Sequence, residues 1–110
     1  MKLSDLIESL SLKLINGSTD GEYSGVYAGD LLSRAMSHVK AGNVWVTIMA
    51  NANVIAVASL TEAAAVILAE GVELLPEAKS AAAENGITVF SSKDTVYDIC
   101  VAIGETARER

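Results

Sequence analysis

The chain has 110 residues, 51% of them hydrophobic, which suits one domain with a sizeable core of its own. Fourteen acidic residues against eight basic ones give a net charge of −6, and there is no Lys/Arg cluster, so a nucleic acid would meet a repulsive field. A single cysteine, Cys100, excludes an intramolecular disulfide and points to a cytoplasmic protein.

Met1, Lys2 and Leu3 run into an amphipathic pattern rather than the apolar core of a signal peptide. Leu3, Leu6, Ile7 and Leu10 recur at helical spacing, with Ser4 available as the cap. Residues 12–15 alternate or run apolar and stop at the turn signal Asn16-Gly17. Residues 18–29 are the least regular segment, with a short strand expected at 25–28. A second helix opens at Gly29-Asp30, with Asp30 placed to cap it. Leu31, Leu32, Ala35, Met36 and Val39 form its buried stripe, and Gly42 ends it. His38 and Lys40 fall in its last turn, where positive charge suits the helix dipole.

Residues 43–49 are a β-branched and aromatic run, the pattern of a strand covered on both faces. Asn51 or Asn53 begins a third helix reaching about Thr61, and residues 64–68 form the next strand. The whole stretch 44–68 is weakly polar, yet its asparagines and Glu62 would be costly in a bilayer, so no membrane span is expected. Pro76 suits the first position of a helix that ends at Asn85-Gly86. Residues 87–90 are the last strand. Ser91 and Asp94 have capping-box spacing, and Val96, Ile99, Cys100 and Ile103 stripe the final helix. The polar tail from Glu105 to the end is expected to fray.

Strand–helix alternation of this kind predicts an α/β fold: a three-layer α/β/α sandwich around a mostly parallel sheet with right-handed crossovers. No linker or repeat divides the chain, so residues 1–110 read as one domain. A ligand on such a sheet sits beyond the carboxyl ends of the strands. Those ends are residues 49–53, 69–71 and 91–94.

The chemistry that is missing narrows the function. No glycine is followed by lysine, which excludes a P-loop, and no Gly-x-Gly-x-x-Gly follows any strand. With one histidine and one cysteine, no zinc site of ordinary spacing exists. His38 sits at a helix end, and Cys100 reads as a buried, inert thiol. Asp30 either caps a helix or edges a ligand site, where free N–H groups at a helix start would meet an anion. Asn51, Asn53, Ser91 and Ser92 carry the same two readings. Thr47 reads first as core. The candidate ligand-binding set is Gly29, Asp30, Thr47, Met49, Asn51, Asn53, Ser91 and Ser92. No catalytic residue, metal or cofactor is expected. An enzyme would have to draw its acid or base from Asp30, Glu62 or Glu70.

The strings Gly-Asp-Leu-Leu-Ser at 29–33, Val-Trp-Val-Thr-Ile at 44–48, Asn-Val-Ile-Ala-Val-Ala-Ser-Leu at 53–60 and Val-Ile-Leu-Ala-Glu-Gly at 66–71 resemble small stand-alone DRTGG-domain proteins. The resemblance continues through the Pro76 helix and Gly-Ile-Thr-Val-Phe-Ser-Ser at 86–92. DRTGG domains also look like the N-terminal domain of HPr kinase/phosphorylase, whose kinase chemistry lies in a separate P-loop domain. The resemblance implies a regulatory, non-catalytic module that senses a nucleotide or other anionic metabolite and forms a homodimer. The alternative is a scaffold whose ligand is another protein. The name-giving Asp-Arg-Thr-Gly-Gly string is absent; its nearest counterpart is Tyr-Ser-Gly-Val-Tyr-Ala-Gly-Asp at 23–30.

Overall fold

In the computed structural model, which describes residues 1–108, the apolar runs become the strands of one five-stranded sheet. The elements follow in the order α1 (Leu3–Leu10), β1 (Lys13–Asn16), β2 (Val26–Ala28), α2 (Leu32–His38), β3 (Val44–Thr47), α3 (Ala52–Thr61), β4 (Ala65–Leu68), α4 (Pro76–Asn85), β5 (Val89–Ser91) and α5 (Val96–Arg108). The strand order is β1-β5-β4-β3-β2. β2 to β5 are parallel, and β1 runs antiparallel along β5.

The sheet is buried on both faces because period-2 alternation sends apolar side chains to each. Trp45, Val66, Leu68 and Val89 face α2, α3 and α4, whose Ala35, Val54, Ile55, Ala58, Ala78 and Ala82 close that layer. Val44, Val46, Ala65, Ile67 and Phe90 face α1 and α5, packing on Leu3, Leu6, Ile99 and Ile103. The three-layer α/β/α reading of the sequence therefore holds. Small alanines on α3 and α4 let those helices approach the sheet closely. Trp45 is fully buried, and its indole N–H donates to Gly29 O at 2.9 Å, so the ring brings no unpaired donor into the core.

Several local expectations need correction. α2 begins at Leu32, and its N-cap is Leu31 with no side-chain cap bond; Asp30 does not cap it. Of its expected buried stripe, Ala35 and Val39 are buried, while Leu31 and Met36 are exposed. The helix ends at Val39, whose N–H returns to Ala35 O, and Gly42 lies beyond it in a turn with φ +85°. α1 starts at Leu3 after Lys2 with no side-chain cap, so Ser4 lies inside the helix. Ser91 ends β5 instead of capping α5. The cap of that helix is Thr95, whose Oγ1 accepts from the Asp98 N–H at 3.1 Å. The same Ser/Thr-x-x-acid spacing occurs twice here, and the four residues after the strand are needed to carry the chain across to the opposite face.

Residues 105–108 stay helical. Thr106 is buried against α1, with its hydroxyl donating to Ala102 O at 2.9 Å and lying 3.1 Å from the Ser9 hydroxyl. The expected fraying of Glu109 and Arg110 lies outside the described residues.

Candidate functional site

The helices leaving neighbouring strands decide where a crevice can open. The chain leaves β4 for α4 on one face of the sheet, and leaves β5 for α5 on the other. Two adjacent parallel strands whose connections part in this way form a topological switch point, where ligands of open α/β sheets bind. A cavity of about 500 Å³ lies there, well within the range of small-molecule sites. It is bounded by the loop after β4 (Gly71, Val72, Glu73, Leu74), the end of β5 and the loop after it (Ser91 to Asp94), and the start of β1.

Both loops are fixed by backbone bonds that continue the β4–β5 pairing past the strand ends. Ser92 N–H donates to Leu68 O at 2.9 Å, Gly71 N–H to Ser92 O at 2.9 Å, and Glu70 N–H to Asp94 O at 2.8 Å. The Asp94 N–H donates to Ser92 Oγ at 3.0 Å. Glu70 and Gly71 adopt successive left-handed conformations, φ +59° and +71°, which turn the chain sharply off β4. On the far side, β1 carries one extra residue against β5 between Leu14 and Asn16. The bulged residue, Ile15, lines the cavity. Lys13 lies opposite Ser91, so their side chains share one face of the sheet.

Three lysines line the cavity from three separate elements: Lys13 at the start of β1, Lys79 near the start of α4, and Lys93 in the loop after β5. All three are exposed. Among the described residues, no carboxylate lies within 4.0 Å of their ammonium groups. The absence of a basic cluster along the sequence therefore does not carry over to space, because the fold gathers lysines from positions 13, 79 and 93. One of the three leaves a sequence-level signal. A lysine in the opening of a helix opposes the helix dipole, and Lys79 occupies such a place in α4.

Of the candidate set read from the sequence, Ser91 and Ser92 line the cavity. Gly29, Asp30, Thr47, Met49, Asn51 and Asn53 stand at the ends of β2 and β3, along the same edge of the sheet, and do not line it. Their polar groups are largely spent on the fold. Asp30 Oδ1 accepts from the Thr47 hydroxyl at 2.7 Å and from the Ile48 N–H at 3.0 Å. Thr47 Oγ1 accepts in turn from the Met49 N–H at 3.2 Å. Gly29 N–H pairs with Val46 O. Asn51 is the N-cap of α3, accepting from the N–H groups of Asn53 and Val54. His38 is also elsewhere, its Nδ1 2.9 Å from Arg34 O and its ring 6.2 Å from that of Tyr27. Of the acids considered for catalysis, Asp30 is bonded as above, and Glu62 caps the end of α3 in a left-handed conformation.

The cavity thus offers ammonium donors, the hydroxyls of Ser11, Ser91 and Ser92, two carboxylates and an aliphatic wall. This set can hold an anion and orient an attached polar group. It contains no histidine or cysteine, and no group of three metal-ligating side chains occurs among the described residues. No described helix is long and apolar enough to cross a membrane.

Comparison with known proteins bears on the fold. A solved structure of the CBS and DRTGG domains of the regulatory region of Clostridium perfringens pyrophosphatase, complexed with its activator diadenosine tetraphosphate, superposes with a TM-score of 0.74. The chain is similar in fold to part of that regulatory region. Sequence identity is 16%, and the match covers 96% of this chain and 46% of the other, so the chain spans about half the length of its structural neighbour. No protein-family description and no curated protein sequence matches the chain.

Proposed function

We propose that this chain is a DRTGG-like regulatory module that binds a small anionic ligand, a nucleotide or another anionic metabolite, without transforming it. The observation that carries the reading is the convergence of Lys13, Lys79 and Lys93 on one cavity in a chain of net charge −6. Unpaired cations gathered against the overall charge of a protein favour an anionic occupant. The position supports the same reading, since the cavity fills the switch point of the sheet. The structural neighbour is a regulatory region held in complex with a nucleotide activator. Nothing in the lining pairs a nucleophile with a base, which favours binding over turnover.

Thermal denaturation of the purified protein with adenine nucleotides, diadenosine tetraphosphate and acetyl phosphate tests this reading, with product analysis alongside. A ligand present at about 100 times its Kd adds about 2.7 kcal/mol of stability, on the order of 10 °C in Tm for a domain of this size. The expected result is a saturable shift with one anion class, no product, and a shift cut to about half at the same ligand concentration in Lys13→Ala and Lys93→Ala, as a tenfold weaker Kd requires. A shift of the same size in both lysine variants would put the site elsewhere, and a product would make the protein an enzyme.

A further inference from the structure

On the reading that this cavity is the binding site, its composition says more about the occupant than charge alone. Its three lysines come from β1, α4 and the loop after β5, so three separate elements each bring a cation to one cavity. Such an arrangement suits a compact, multiply charged group with several acceptor oxygens, as a phosphate has. Glu73 and Asp94 line the same space. Carboxylates would repel a phosphate, so they must meet a different part of the ligand. Being acceptors only, they call for hydroxyl or amine donors there.

The remaining wall is aliphatic, formed by Leu10, Ile15, Val72 and Leu74, and no aromatic ring is among the lining side chains. A nucleobase is ordinarily held by stacking on a ring, with its polar edge read by amide or backbone groups. The side chains here supply neither a ring nor an amide. We propose that the cavity recognises a phosphorylated polyol, either a free sugar phosphate or the ribose-phosphate part of a nucleotide whose base goes unread. The lysines hold the phosphate, and Glu73 with Asp94 accepts from the sugar hydroxyls.

Isothermal titration of the wild-type protein with ribose 5-phosphate, ATP, GTP, adenosine and pyrophosphate tests this, repeated with Lys93→Ala and Glu73→Gln. ATP and GTP are expected to bind within about threefold of each other, and adenosine not to bind. Whichever of ribose 5-phosphate and ATP binds tighter identifies the source, a free sugar phosphate or a nucleotide. Lys93→Ala should weaken all phosphorylated probes by about tenfold. Glu73→Gln should weaken ribose 5-phosphate while leaving pyrophosphate binding unchanged or tighter. A preference for ATP over GTP of more than about tenfold, or binding of adenosine, with the lysine dependence intact, overturns this proposal and leaves the site standing. Binding that ignores Lys93→Ala, or no binding of any probe, overturns the site and the proposal with it.

Discussion

Asp30 fastens the end of β3 to the end of β2, its Oδ1 accepting from the Thr47 hydroxyl at 2.7 Å and the Ile48 N–H at 3.0 Å. Thr47 is fully buried, so without Asp30 its hydroxyl loses its acceptor where water reaches it poorly, while the N–H of the exposed Ile48 can turn to water. Asp30→Ala is expected to destabilise the domain by about 1–2 kcal/mol, toward the low end because Asp30 itself is exposed. Thr47→Val in the Asp30→Ala background should cost less than Thr47→Val alone, because the two share one bond. Urea denaturation of the four proteins measures both effects. Affinity for the anionic ligand should stay within about twofold in Asp30→Ala, since the residue lies outside the cavity. A large loss of affinity in a folded Asp30→Ala protein would move the site toward β2 and β3.

Gly17 and Gly86 both have positive φ, +93° and +65°, but for different reasons. A Cβ on Gly17 would lie 2.6 Å from Thr88 Cα, in backbone that cannot swing away. Beside it, the Asn16 side-chain amide donates to Ile87 O at 2.8 Å, so this turn pins β1 onto the start of β5. A Cβ on Gly86 meets nothing within 4 Å, and there the residue only closes α4. Gly17→Ala should therefore cost about 3 kcal/mol or more, and Gly86→Ala about 1 kcal/mol, compared by chemical denaturation. Equal costs would mean that the Thr88 contact yields easily. Because β1 supplies Lys13 and Ile15, Gly17→Ala is also the substitution expected to disturb the cavity from a distance.

The layers were legible in the sequence because they depend on local pattern. The apolar, partly β-branched runs at 44–47 and 65–68, Pro76 at the first position of its helix and an asparagine, Asn51 or Asn53, at the start of α3 are each read from neighbours in the chain, and the structure picks Asn51 as the cap. The edge of the sheet that bears the strand ends was legible for the same reason. Which crevice along that edge opens was not. That depends on α4 and α5 lying on opposite faces, and period 3.6 tells which side of a helix is apolar without telling which face of the sheet receives it. The lysines were invisible as a group because β1 reaches β5 across most of the chain. Asp30 misleads because an aspartate before a helix has an ordinary local use, and the competing partner, Thr47, lies 17 residues away.

Burial pushes the Cys100 thiol above its ordinary range, since the thiolate would lose water in the half-buried flank of α5. The folded protein then keeps its proton to higher pH than the unfolded chain. Above about pH 8.5 the unfolded state ionises first, so the contribution of this group falls as pH rises through that window. Reaction with a thiol reagent near neutral pH should be slow in the native protein and fast after denaturation. Cys100→Ser should leave ligand affinity unchanged, because Cys100 does not line the cavity. Rapid native labelling at neutral pH would contradict a thiol held protonated by its surroundings.

The lysines should matter for binding far more than for stability. The three lysines are exposed, and Glu73 and Asp94 line the same space, so repulsion among the lysines is offset by attraction to the carboxylates. Replacing any of them should change the stability of the empty protein little. Lys79→Gln is expected to leave stability unchanged or to raise it by up to about 0.5 kcal/mol, and Lys13→Ala and Lys93→Ala to lie within about 0.5 kcal/mol of wild type. The same variants should each weaken binding of a phosphorylated ligand by about tenfold. The loss should shrink as salt is raised, because the lysines are exposed and screening already weakens the wild-type interaction. Paired urea denaturation and titration calorimetry at low and high salt separate the two effects. Stability and affinity falling together in all three variants would mean that the lysines hold the fold. Affinity falling while stability holds would mark them as groups kept for a ligand.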